Sequence, residues 1–148
     1  APHGIELCFV AGNDPLMDRV ADLCFERLHE PFGVERLDDW DKLDSNSTHL
    51  VALDGETLVG YARLIAEDDW GRIRQVVVRP GWERRGIASA IVAELVRRSA
   101  ADGRPQVFLN ARLTATRLYE KLGFVRVGDE FETGRTHVAH VRMERVAG

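Results

Sequence analysis

The chain has 148 residues, 45% hydrophobic and 30% charged, with a formal net charge of −4 at pH 7. This composition fits one folded domain with a single core and excludes a disordered chain. The acidic balance argues against nonspecific nucleic-acid binding, and no apolar run is long enough for a membrane-spanning helix. No basic region followed by an apolar one opens the sequence, so a cytoplasmic location is expected. Cys8 and Cys24 lack metal-ligand spacing and are expected as buried thiols in a reducing compartment, without a metal.

In chain order, Ile5 to Val10 sets Ile5, Leu7 and Phe9 against Cys8 and Val10, a strand buried on parts of both faces. Asp14 is the expected N-cap of a helix with Pro15 at its first position. Leu16, Val20 and Leu23, with Met17, Cys24 and Leu28, mark its faces until Pro31 and Gly33 end it. Glu35 to Asp44, with Asp38 and Asp41, is expected as a surface loop or short helix. Its carboxylates are either a solvated face or a wall attracting a cationic amine. His49–Leu53 and Thr57–Ile65 flank Asp54-Gly55, a strong hairpin signal. A second turn over Glu67–Gly71 leads into a strand from Arg72 to Arg79.

The hydrophobic period then changes. Gln75 to Val78 is an apolar strand ending stopped by Pro80-Gly81, whereas Ile87, Ile91, Leu95 and Ala88, Val92, Val96 form two adjacent helical stripes from Gly86 onward. At the junction stands Glu83-Arg84-Arg85-Gly86-Ile87-Ala88. A helix N-terminus offers free N–H groups and about half a positive charge. Flanked by two arginines, it is a corner for anions, phosphates above all. Beyond Asp102-Gly103 and Pro105, Gln106–Asn110 is a short strand expected parallel to its predecessor, because a helix joins them. A helix follows from Leu113 to Leu122, with Leu118 and Leu122 expected buried and Gly123 at its cap. Phe124–Phe131 and Thr136–Met143 close the chain as a hairpin around Thr133-Gly134-Arg135. The element order predicts one α+β layered domain over residues 1–148.

Order and motifs together resemble the GNAT superfamily of acyl-CoA-dependent N-acyltransferases, in its small single-domain bacterial branch. Glu83-Arg84-Arg85-Gly86-Ile87-Ala88 is similar to the family's Gln/Arg-x-x-Gly-x-Gly/Ala, departing at Glu83. Leu109-Asn110 and Leu118-Tyr119-Glu120-Lys121-Leu122-Gly123-Phe124 are similar to its Asn strand and Tyr-Glu-Lys-x-Gly-Phe. His49-Leu50-Val51 and Gly60-Tyr61-Ala62-Arg63-Leu64 extend the likeness upstream, over nearly the whole chain. The resemblance implies a GNAT-like mixed central sheet of about seven strands, helices on both faces, and an acyl-CoA cleft between strands four and five. It implies acetyl-CoA as co-substrate and no metal. The pantetheine arm would pair with the backbone of Val76, Val77 and Val78, whose side chains are expected in the core. The pyrophosphate would sit on the N–H groups of Arg84, Arg85, Gly86, Ile87, Ala88 and Ser89, with Glu83 not carried over as a ligand. Asn110 would hydrogen-bond the cofactor, or else cap the next helix; Tyr119 would protonate the departing thiolate, or else be an ordinary helix aromatic.

The general base is less determined. Some members use a Glu on the fourth strand, but Arg72-Ile73-Arg74-Gln75 contains no carboxylate; others use a water chain. Glu67, Glu132, His137 and His140 are the candidate side chains, with Glu132 and His137 set by likeness to a Glu and a His around the branch's last turn. Which histidine corresponds stays open. Trp40, Trp70 and Trp82 either wall an acceptor pocket or are core and rim aromatics. The expected activity is acetyl transfer to a primary amine of a small molecule or peptide by direct attack in a ternary complex. No nucleic-acid or membrane partner is expected, and a homodimer is among the oligomeric options. A non-catalytic acyl-CoA sensor and a protein-interaction module are the rival readings.

Overall fold

A computed structural model of the protein describes residues 2–24, 47–132 and 138–146. Its strands are β1 (Glu6–Val10), β2 (Ser47–Asp54), β3 (Thr57–Glu67), β4 (Trp70–Val78), β5 (Gln106–Arg112), β6 (Val125–Glu132) and β7 (Ala139–Val146). The described helices are α1 (Leu16–Cys24), α2 (Ile87–Ala101) and the short α3 (Thr116–Lys121), which continues a 3₁₀ turn over Leu113–Ala115. The strands form one seven-stranded sheet in the order β1-β2-β3-β4-β5-β7-β6. All neighbours are antiparallel except β4 and β5, the pair joined by α2. A helical crossover is long enough to return the chain in the same direction, as expected.

The core lies in two clusters on the two faces of the sheet. On one face α1 sets Met17, Val20, Leu23 and Cys24 against Val51, Leu58, Tyr61 and Val77. On the other, Ile87, Ile91, Val92 and Leu95 of α2 cover Leu50, Val59, Leu64, Ile73, Val107 and Leu109, and α3 joins through Tyr119. β2, β3 and β4 feed both clusters, which explains nearly continuous apolar strands such as β3, whereas β5 and β7 contribute only to the α2 side. Gly60 lets α2 approach closely: a Cβ there would lie 2.9 Å from Ile91 Cδ1 and 3.0 Å from Ile87 Cγ2. The Asp14 carboxylate caps α1 by accepting the Leu16 N–H at 2.9 Å, two residues on, which leaves Pro15 at the first helical position.

Several expectations shift. The two-residue hairpin loop is Gly55-Glu56, because Asp54 still pairs with Thr57; the positive φ falls on Gly55 at +61°. The fourth strand runs from Trp70 to Val78 rather than from Arg72 to Arg79. Cys8 is only half-buried, since β1 is an edge strand, whereas Cys24 is buried. Phe9 is exposed on that edge, with the Arg98 guanidinium 4.8 Å from its ring centroid. In the last helix Thr116 and Tyr119 are buried, and Leu118 and Leu122 only half-buried. The 3₁₀ turn advances about 120° per residue instead of about 100°, which rotates the following α-helical turn off the expected face. Trp40, the acidic stretch over Glu35–Asp44, Pro31, Gly33, His137 and the final turn lie outside the described residues.

Candidate active site

The two parallel strands stay together for only part of their length. Pairing runs from Trp70 with Gln106 to Ile73 with Leu109 and ends there. β4 continues to Val78 and β5 to Arg112, so the sheet opens into a V whose mouth lies at the carboxyl ends of both strands. Among the described residues no strand pairs with the β5-side edge of Arg74–Val78, while the opposite edge stays bonded to β3. An extended ligand with amide groups fits such an edge as an added strand would.

The apex of the V is marked by a bulge. Tyr61 faces Val77 but Arg63 faces Arg74, so Gln75 and Val76 together stand opposite Ala62. Gln75 has φ +60°, a left-handed conformation that a residue with a Cβ adopts at a cost of about 1–2 kcal/mol. Its Oε1 is buried and has no hydrogen-bond partner among the described residues. Of the three valines expected in the core, only Val77 is fully buried, on the α1 face. Val76 and Val78 pack part-buried against the α2 cluster, because they border the opening.

Past the mouth, the loop from Pro80 to Gly86 turns through three left-handed residues: Gly81 (φ +94°), Arg84 (φ +63°) and Gly86 (φ +79°). Such alternation gathers consecutive N–H groups into an anion-binding concavity. Gly86 is the N-cap of α2, its carbonyl accepting the Ala90 N–H at 3.0 Å; among the described residues no side chain caps this end. The first-turn amides of Ile87, Ala88 and Ser89 therefore stay available, and no acidic side chain stands in that turn. Glu83, the departure from the motif, is turned onto its own loop, where its carboxylate accepts the Gly81 N–H at 2.6 Å. Trp82 packs beneath the loop with the Arg85 guanidinium 5.7 Å from its ring centroid. Its buried Nε1 has no hydrogen-bond partner among the described residues. These features fit an acyl-CoA: free donors for a pyrophosphate, an open backbone edge for the arm, and unsatisfied polar atoms between.

On the β5 side of the V, Asn110 is exposed and alternates with the buried Leu109 and Ala111, so it lies on the sheet face away from α2. It caps no helix: the 3₁₀ turn begins from Arg112 and α3 from Ala115, neither with a side-chain cap among the described residues. Tyr119 is buried, its ring edge-on to Phe124 at 5.9 Å between centroids. Burial pushes its phenol up to about 12, against a smaller opposing effect of the Arg112 guanidinium. The hydroxyl thus keeps its proton throughout the neutral range and is a donor.

The candidate bases separate by position. Glu67 pairs with Trp70 at the closed end and forms an ion pair with Arg72 at 3.6 Å. Six residues of strand at about 3.3 Å each put Trp70 ~20 Å from Val76, which removes Glu67 from the site. Glu132 and His140 lie instead level with the mouth, since His140 faces Arg112 across β7 and β5 and Glu132 faces Ala139. Glu132 is exposed. His140 stacks on Phe131, and its Nδ1 lies 2.7 Å from the Val138 carbonyl, which can only accept, so Nδ1 bears a proton. Trp70 belongs to the closed end, edge-on to Phe108, and walls no part of the mouth. A cavity of about 30 Å³ bordered by Leu64, Gly71, Ser99 and Arg104 also lies at the closed end, too small for more than one or two waters. Among the described residues no group of His, Cys, Asp and Glu is placed to hold a metal ion.

From sequence, Trp82 is a pocket-wall or rim aromatic and Gln75 only the first residue of a strand ending, without a site role. Neither belongs to the motif, and only the strand register shows that a bulge stands at the apex.

The acetyltransferase (GNAT) domain family model matches residues 25–147. The uncharacterized N-acetyltransferase YjcF of Bacillus subtilis is 30% identical over 111 residues, covering 75% of this chain and 79% of its own. An acyl-CoA N-acyltransferase from Pseudomonas aeruginosa superposes with a TM-score of 0.76 at 20% identity, over 96% of this chain and 99% of that one. An aminoglycoside 6'-N-acetyltransferase in complex with coenzyme A gives 0.79 at 17%, over 95% and 96%. With this sheet, its split and its phosphate corner, the chain belongs to the GNAT family of acetyltransferases.

Proposed function

We propose that the protein transfers an acetyl group from acetyl-CoA to a primary amine of a small molecule or peptide, by direct attack in a ternary complex. One observation carries this reading: the open edge of β4 leads from the apex of the V to a helix N-terminus whose first amides have no side-chain cap among the described residues. When bound, acetyl-CoA supplies the activated thioester. The N–H groups of Arg84 to Ser89 hold the pyrophosphate, with the Arg84 and Arg85 guanidinium groups adding charge. Backbone groups of Val76, Val77 and Val78 pair with the arm, and Asn110 binds it from β5. Tyr119 holds a proton on its hydroxyl for the departing sulfur. The proton lost by the amine passes to water at the mouth, where Glu132 and His140 stand. His137 shares that stretch of sequence but lies outside the described residues.

The test pairs calorimetry with a thiol-release assay. Binding of CoA, with turnover of at least one of putrescine, tyramine, glucosamine and an alanyl-lysine dipeptide, is the expected result. Absence of CoA binding sinks the proposal. Binding without turnover favours the sensor reading, which the lack of any carboxylate on Trp70–Val78 supports.

A further inference from the structure

Gln75 combines three features that structure alone leaves unexplained. It holds a left-handed φ of +60° in mid-strand, where glycine would be cheaper. It makes the bulge opposite Ala62. It also buries a carboxamide oxygen without a hydrogen-bond partner among the described residues, which native interiors rarely tolerate. Strain and an unsatisfied acceptor at one residue cluster at functional sites, where a bound molecule supplies the missing partner. The place is specific: Gln75 is two residues past Ile73, the last β4 residue paired with β5, and so stands at the apex of the V.

On the transferase reading above, the donor's arm runs from the phosphate corner along β4, and its reactive end comes last to the apex. The arm's own amides meet a backbone edge that already alternates donors and acceptors. The group that arrives without a partner there is the attacking amine, whose lone pair must point at the carbonyl and whose N–H bonds must point elsewhere. β4 offers it no carboxylate from Trp70 to Val78. We propose that the Gln75 side-chain oxygen accepts a hydrogen bond from the N–H of the acceptor amine, orienting it for attack and making Gln75 an amine-binding residue.

Gln75→Gly is a clean probe, because glycine keeps the left-handed backbone while removing the carboxamide. Its thermal midpoint is expected at or above that of the wild type. KM for the panel amine with the highest wild-type turnover should rise about tenfold, the usual effect of one lost hydrogen bond. Acetyl-CoA affinity should stay within about threefold. Gln75→Glu, which retains an acceptor oxygen at the same reach, should hold the amine KM near the wild-type value. An unchanged amine KM in Gln75→Gly overturns the assignment. Weakened acetyl-CoA binding in its place also overturns it, giving the oxygen to an amide of the donor's arm. A wild type that turns over none of the panel amines overturns the transferase reading itself, and this inference with it.

Discussion

The two ends of the β4–β5 pair are built from the same strands and differ in almost every physical respect. At the closed end the ladder is complete from Trp70 to Ile73 and the polar groups there are engaged. The Ser99 hydroxyl donates to the Arg104 carbonyl at 2.6 Å, and Arg104 Nε donates to the Asp68 carbonyl at 3.0 Å. The Arg142 guanidinium sits 3.9 Å from the Phe108 ring centroid and bonds Glu144 at 2.7 Å. At the open end, among the described residues, the ladder is absent and Gln75 Oε1 and Trp82 Nε1 go without hydrogen-bond partners. One end contributes stability, and the other keeps its hydrogen-bonding capacity for a ligand. Substitutions at the two ends should therefore separate binding from folding.

The largest effect belongs to the open end. Gly86→Glu adds a side chain and a negative charge where an anion's oxygens must meet backbone, at a φ of +79° that any Cβ resists. CoA affinity measured by calorimetry should fall by roughly a hundredfold or more, about the loss of one or two charge-assisted hydrogen bonds. Unchanged affinity in the folded variant would remove the loop from the site.

Next is Tyr119→Phe, which keeps the buried ring and deletes the hydroxyl. Turnover should fall by about 10², with acetyl-CoA affinity changed by less than about 1 kcal/mol. The same residue predicts a base-sensitive fold. A folded-state pKa raised from 10.0 to about 12 means that the unfolded chain releases this proton first as pH rises. Stability from the neutral phenol is then complete below pH 10 and is lost between pH 10 and 12, by about 2–3 kcal/mol. Cys24 adds loss over pH 9 to 12, since burial pushes its thiol up to about 12 despite Arg63. Denaturation of Tyr119→Phe at stepped pH should show a shallower decline than the wild type; equal slopes would place the phenol in water.

The closed end gives the complementary result. Gly71→Ala puts a Cβ 2.2 Å from Ser99 Oγ and 3.1 Å from Leu64 Cδ1, forcing α2 and β3 to move. Loss of about 1–3 kcal/mol in urea denaturation is expected, with CoA affinity in the folded protein near that of the wild type. A large drop in affinity without destabilisation would contradict the division of labour between the ends. The smallest effects should come from Glu132→Gln and His140→Ala, each within about fivefold of wild-type turnover if water takes the proton. A hundredfold loss together with a missing acidic limb in the pH profile would identify that residue as the base.

The sequence by itself determined the order of elements, the cap at Asp14 and the strand-turn-helix junction at Gly86. Each depends on a few neighbouring residues: a carboxylate two positions before the N–H it accepts, a switch of hydrophobic period, a glycine opening a helix. It also carried Tyr119 through the likeness of its flanking motif. Only the tertiary structure decided that Glu67 stands at the wrong end of the cleft, that Tyr119 is buried more deeply than Leu118, and that Gln75 bulges at the apex. Strand register is set by pairing between segments distant in the chain, and a single extra residue in β4 or three residues of 3₁₀ geometry redirects every side chain that follows. Local patterns specify which residues can do chemistry; the split of two parallel strands, a non-local outcome, selects which of them meet.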